Sequence, residues 1–265
     1  HKSFRMCYNK LRIIRATLDN ILFEKLLNKF KLLILFSVMN NQSTKIIVRA
    51  QTANEEFEYL MKVLNKMDFY NQHGYKIPIP DHPFFLNISN NLDLLKSLDI
   101  EEAKNIFTKE VYNPAFFENG LKTINKNIEL VEKAIKKMEK WKNWKFKLFP
   151  TYQVKLTAYG PGGSYDFNQG NIIMKTKENG EFGRVPYHTI VHEIIHIGIE
   201  ESVVKKFELT HVEKEGLVDS ICANYFDDLL IDYVVQDRGD KKVFNLVSKD
   251  NITELPKIIK EYKKK

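Results

Sequence analysis

Cysteine is scarce in this chain: Cys7 and Cys222 are the only two in 265 residues. One possible pair is no disulfide framework, and such sparse usage leaves the compartment open, with a reducing, cytoplasmic one slightly favoured over a secreted one. Long apolar runs are missing too. The longest, residues 32–39 (LLILFSVM), falls far short of the roughly 20 residues that a spanning helix needs, so no transmembrane segment is expected. That run follows Lys-rich sequence, as the core of a signal peptide would. Asn40, Asn41 and Gln42 come next, however, where a cleavage site would need small residues. A buried strand is the better reading, in a hairpin with residues 45–50 across a polar turn. Internal repeats and low-complexity linkers are also lacking.

What is present is the composition of a folded domain, 43% hydrophobic and 28% charged, with 18 Phe and 12 Tyr to fill a core. The formal charge of +7 is spread along the chain, with a modest Lys excess after Lys241. Spread charge of this kind is a solvated basic surface, and no nucleic-acid partner is expected.

Periodicity gives a coarse map. Helix is expected over residues 11–35 and again over 52–67, where Thr52 or Asn54 caps it and Phe57, Leu60, Met61 and Leu64 share a face. Residues 75–83 carry too many prolines for regular structure. One long helix is expected over 114–142, because Leu121, Ile124, Ile128, Val131, Ile135 and Met138 step by three and four; it packs on its own domain and is not a coiled-coil seam. Aromatics alternate with lysines in residues 141–149 (WKNWKFKLF), which reads as a helix end and then a strand with Trp144, Phe146 and Leu148 inward. Strands are expected at 152–159 and 172–175, paired as a hairpin, with a glycine-rich turn at 160–163. After Gly183 the pattern is helices with short connections.

Residues 186–201 (PYHTIVHEIIHIGIEE) are where chemistry concentrates. Propensity alone would make the Ile/Val-rich centre a strand. Ile190, Val191, Ile194 and Ile195 instead recur at helical spacing, and Pro186 suits a first helical turn. Apolar flanks on both sides make this a buried helix, so its polar residues need partners. His192 and His196 lie four apart and project from one face, where two imidazoles can take adjacent corners of a zinc tetrahedron. Glu193 beside them is the candidate to accept a proton from the attacking water. Eighteen residues after His196 comes Glu215, in a second segment with helical patterning, and Asp219 lies on the same face four residues on. Asp219 is suited to take the free ring N–H of a ligand histidine.

The run His192-Glu-Ile-Ile-His196, the interval of 18, and Glu215-Gly-Leu-Val-Asp219 resemble the gluzincins, the thermolysin-like metallopeptidases with an HExxH pattern followed by ExxxD. The resemblance covers about 30 residues closely. It implies one zinc ion per chain held by His192, His196 and Glu215, with Glu193 as general base and Asp219 behind the ligands. It implies an α+β, zincin-like module with a small mixed sheet and metal-bearing helices, acting on a peptide or protein substrate. The expected organisation is a mainly helical region over 1–145, the module over 146–240, and a basic helix or tail over 241–265. Gluzincins set a substrate-pairing edge strand before the metal helix, and residues 165–174 are the candidate, with Tyr165, Asp166, Phe167 and Asn168 at its start.

Two other histidines compete for ligand positions: His188, one turn before His192, and His211, one turn before Glu215. His188 reads better as a helix-start residue, His211 as a cap or surface group, and Cys222 as a buried structural thiol. No oxyanion-stabilising residue is assigned; Tyr225 and Tyr233 follow Glu215, but Tyr225 falls well off the Glu215 face of a regular helix. The aminopeptidase motif of the family is missing around residues 163–167, where Asp166 is the sole substitute for its amine-binding carboxylate. An endopeptidase or narrow processing enzyme is therefore preferred. The alternative from another class is a non-catalytic zincin fold with a structural zinc and a protein partner, which the presence of Glu193 disfavours.

Overall fold

The computed structural model describes residues 44–236 and 239–264. The helix expected over 11–35 and the apolar run 32–39 lie outside the described residues. In chain order the regular elements are β1 (Lys45–Ala50), α1 (Ala53–Leu64), α2 (Met67–Gln72), α3 (Pro83–Asn90), α4 (Ile100–Ile106), α5 (Glu118–Asn125), α6 (Ile128–Met138), β2 (Thr151–Thr157), β3 (Gly163–Asp166), β4 (Asn171–Lys175), α7 (Pro186–Ile199), α8 (His211–Ser220), α9 (Lys241–Phe244) and α10 (Leu255–Tyr262). The architecture is mixed, α+β, with one small sheet. Among the described residues no helix is long and apolar enough to cross a membrane.

The sheet has the order β1-β2-β4-β3. β1 runs parallel to β2 and β2 parallel to β4, while β3 is an antiparallel edge strand against β4. The hairpin expected between residues 152–159 and 172–175 is therefore corrected: β4 takes its antiparallel partner from the intervening residues. The turn that makes this possible is built by Asp166, whose side chain accepts from the Asn168 N–H at 2.8 Å, and by Gly170, whose φ of +67° suits a residue without Cβ.

Alternation decides which face of the sheet meets which layer. Tyr152, Val154, Leu156, Ile172 and Met174 are buried in one core with α6 and α7. On the other face Lys155 and Thr157 reach α1: Lys155 Nζ is 2.9 Å from Glu55, which also pairs with Arg49 at 2.6 Å, and Thr157 donates to Glu56 at 2.9 Å. α1 begins with a capping box between Thr52 and Glu55, and buries Phe57, Leu60, Val63 and Leu64 in a second core with Phe85, Ile88 and Phe107.

The long helix expected over 114–142 is broken. Asn127 leaves helical geometry at φ −126°, ψ 17°, and separates α5 from α6. Two asparagines around Lys126 are poor helix formers, because their short amides compete for nearby backbone groups. The apolar stripe survives the break, since Ile124, Val131, Ile135 and Met138 are all buried. The strand expected after Trp141 does not form either. A 3-10 turn runs over Glu139–Trp144, Lys145 adopts φ +67°, and Lys147 N–H bonds to the Gly198 carbonyl at 3.0 Å. Phe146 turns inward as expected, but its ring fills the space where Gly198 has no Cβ, at the end of α7.

Candidate metal centre

α7 is buried from Ile190 to its end because its apolar residues point to opposite sides: Ile190, Val191, Ile194, Ile195 and Ile197 are all fully enclosed. Pro186 stands in its first turn, where a missing N–H costs nothing. α8 is started by Thr210, whose side chain accepts from the Glu213 N–H in a capping box, and Glu213 is held in turn by Lys263 at 3.3 Å. α7 and α8 pack against each other, and the polar faces of both turn toward the same point.

At that point His192, His196 and Glu215 each offer one ligand atom within 4.8 Å of the others. The Nε2 atoms of the two histidines are 2.9 Å apart, and Glu215 Oε2 lies 3.6 Å from His192 Nε2 and 3.5 Å from His196 Nε2. Corners of a tetrahedron around an ion with bonds of about 2.0–2.1 Å are about 3.3–3.4 Å apart. The two edges to Glu215 come close to that length and the edge between the histidines is shorter, and the donor set of two imidazoles and a carboxylate suits zinc. The residues present therefore fit such an ion.

The electrostatics point the same way. Burial would raise the Glu215 carboxyl, but His192 and His196 beside it hold it far below the usual range, so it is ionised. Burial depresses His196 to about 4, which leaves that ring neutral with a lone pair to give. His192 moves in the opposite direction: burial opposes protonation, but Cys222 and Glu215 alongside outweigh it and lift the ring well above the ordinary histidine value. A positive charge is thus favoured here, whether a proton on His192 or an ion in its place.

Glu193 is buried at 7% exposure and opens onto the cleft. Burial raises its carboxyl to about 7, with His192 and Lys214 pulling down and Glu215 pushing up. Its Oε1 lies so close over Gly163, at the start of β3, that a Cβ there would collide with it. The cleft measures about 870 Å³ and runs past β3, α7 and the segment that follows α8.

Asp219 is fully buried behind the His192–His196–Glu215 cluster, but it does not take the ring N–H of a histidine directly as expected. Its Oδ1 stands 3.6 Å from His192 Nδ1, too far for a hydrogen bond. Tyr233 fills the gap: its hydroxyl donates to Asp219 Oδ1 at 2.7 Å and lies 2.7 Å from His192 Nδ1. Asp219 Oδ2 accepts from the main-chain N–H of Gln236 at 2.7 Å. Gln236 then brings its side-chain amide nitrogen to 3.2 Å from His192 Nε2. Sequence reasoning left Tyr233 unassigned and missed Gln236, because both sit in an irregular segment where no spacing singles out a residue.

The remaining candidates separate. Tyr165 lies on β3 and lines the cleft, its ring stacked on His196 with centroids 5.1 Å apart, and its hydroxyl accepts from Lys214 at 3.0 Å. Asp166 ends β3 and spends a carboxylate oxygen on its turn, while Phe167 and Asn168 lie in the turn and not in the strand. Phe167 sits under Lys205, 4.2 Å from its ring centre. Among the described residues only Tyr165 of these four walls the cleft. His188 is buried, with its Nε2 unpartnered among the described residues, and burial lowers its pKa. His211 is a surface residue at the start of α8, 3.7 Å from Glu215 Oε1, and Thr210 is the cap. Cys222 is a buried thiol raised by burial and in contact with His192 and Tyr233. Tyr225 packs on Trp141, with ring centres 5.0 Å apart.

Compared with family models, curated proteins and solved structures, the chain matches none.

Proposed function

We propose that the chain is a zinc metallopeptidase of the gluzincin type, hydrolysing peptide bonds within a protein or peptide substrate. The observation that carries this reading is the convergence of His192, His196 and Glu215 on one point, with the buried carboxylate of Glu193 beside them at a cleft. Three protein ligands that leave one side open toward a cleft favour a catalytic over a structural ion, since structural zinc takes four protein ligands.

Zinc at this point would polarise the scissile carbonyl and make water a better nucleophile at neutral pH. Glu193 takes the proton as the water oxygen attacks the carbonyl carbon, and returns it to the leaving amide nitrogen as the C–N bond breaks. Burial raises this carboxyl above an exposed glutamate, which makes it a better proton acceptor. The outer edge of β3, free of a strand partner among the described residues, offers main-chain groups on which an extended substrate can lie. Tyr165 stacks on the His196 ring, and the Tyr233–Asp219 pair would hold His192 toward a bound ion.

Metal analysis tests the proposal. Protein purified without chelators is expected to hold one zinc per chain and to cleave members of a quenched-fluorescent peptide library. Activity is expected to disappear on removal of the metal and return with added zinc. Zinc without any cleavage, across a broad library, supports instead a non-catalytic fold that uses the ion structurally.

A further inference from the structure

A peptidase of this kind needs a donor for the oxygen of the scissile carbonyl, which becomes negative as water adds. Tyr225 and Tyr233, which follow Glu215 in the chain, do not supply it. Tyr233 has its hydroxyl engaged between His192 and Asp219, and Tyr225 is packed on Trp141. We propose that Gln236 is this donor, a catalytic residue whose side-chain amide N–H receives the developing oxyanion. The inference rests on the metallopeptidase reading above.

Three contacts aim the amide. The Gln236 main-chain N–H is held by Asp219 Oδ2 at 2.7 Å. Three residues earlier, Tyr233 is held by the other oxygen of the same carboxylate, also at 2.7 Å. Between them, the Val234 carbonyl accepts from Arg184 Nη1 at 3.3 Å, which ties the segment to the loop before α7. A short segment is thereby fixed along the wall of the cleft, and it carries the Gln236 amide, 3.2 Å from His192 Nε2. That nitrogen is the one that faces His196 Nε2 and Glu215 Oε2, where an ion would bind. Bound to an ion, that nitrogen cannot accept a hydrogen bond from the amide. The N–H2 group is then left facing the open side of the site, and the substrate carbonyl oxygen is the acceptor that the reaction brings there. The balance is that of ordinary hydrolysis. Water oxygen bonds to the carbonyl carbon, the C=O electron pair moves onto oxygen under the Gln236 N–H, and that pair returns as the C–N bond breaks and the nitrogen takes the proton from Glu193. An uncharged amide donates at every pH, unlike a tyrosine or histidine in the same role.

The test uses the full chain with Gln236→Ala and Gln236→Glu, the second of which keeps the side-chain shape and the main-chain anchor to Asp219. Zinc affinity is read by competition with a chromophoric chelator. Acetohydroxamate, whose carbonyl oxygen takes the place of the substrate's, is titrated into the Co²⁺-loaded protein and followed by visible absorption. Turnover is followed on the peptide library. The expected result for both variants is zinc affinity within about twofold of wild type or tighter, and kcat lowered by about 10²–10³ with KM little changed. Acetohydroxamate binding is expected to weaken about tenfold in Gln236→Ala. Unchanged kcat or unchanged acetohydroxamate binding overturns the inference. So does a tenfold loss of zinc affinity in Gln236→Ala with a shifted Co²⁺ spectrum, which would make the Gln236 carbonyl a metal ligand. Should wild type bind zinc but cleave nothing, the peptidase reading fails while the acetohydroxamate titration still decides whether Gln236 faces a carbonyl oxygen.

Discussion

The hydroxyl of Tyr233 lies 2.7 Å from Nδ1 of His192 and donates to Asp219 at 2.7 Å. A phenol thus stands between the carboxylate and the imidazole, where a direct bond was expected. With Tyr233 donating onward, its oxygen accepts the Nδ1 hydrogen of His192, which leaves Nε2 unprotonated in the neutral ring and directed at the other ligands. Removing the hydroxyl in Tyr233→Phe is expected to weaken zinc binding about 10–100-fold. It also leaves a buried Asp219 oxygen without its donor, at a cost of about 1–3 kcal/mol. Chelator competition and thermal unfolding measure the two effects; unaltered zinc affinity would show that Tyr233 does not orient the ligand.

Gly163 gives a second prediction. A methyl group there meets the Glu193 carboxylate and comes within 2.9 Å of Thr189 Cγ2. Gly163→Ala must therefore displace the Glu193 carboxylate or push β3 away from α7. Peptide turnover is expected to fall at least about tenfold, while zinc content stays at one per chain because no ligand is touched. Equal loss of zinc and activity would mean that the whole site had shifted.

Much of this centre could be read from the sequence because helices repeat. His192, Glu193 and His196 are fixed relative to each other by the pitch of α7, and Glu215 and Asp219 by that of α8. Thr52 announces its helix by a local capping pattern, and the stripe through α5 and α6 keeps its spacing despite the break at Asn127. What could not be read depends on contacts between distant residues. The parallel pairing of β2 with β4 is a choice of partner, on which alternation is silent. Phe146 turns into a helix-facing contact because Gly198, 52 residues away, leaves room for its ring. Tyr233 and Gln236 reach the site from an irregular segment, placed by hydrogen bonds to Asp219 and by no periodicity.

Glu56 supports a prediction remote from the metal. Burial lifts its carboxyl to about 7, against hydrogen bonds from Ala158, Thr157 and Gln51 that pull it down. Since the folded value is raised above the unfolded one, the folded state binds the proton more tightly. This contribution is fully present below the unfolded value near 4.5 and is lost as pH rises to about 7. Wild type is therefore expected to lose stability across that window relative to Glu56→Gln, by at most about 3 kcal/mol. Urea unfolding at pH 4.5, 6 and 7.5 checks it; parallel pH profiles for the two proteins would contradict the assignment.

The central claim, that an ion held by His192, His196 and Glu215 works with Glu193 to cleave peptide bonds, is tested most directly by one comparison. Zinc content and peptide-library turnover are measured together for wild type and Glu193→Gln, both purified without chelators. One zinc per chain is expected in each, with turnover in the variant lower by about 10²–10⁴-fold. Absence of zinc from the wild type, or full turnover in Glu193→Gln, would contradict it.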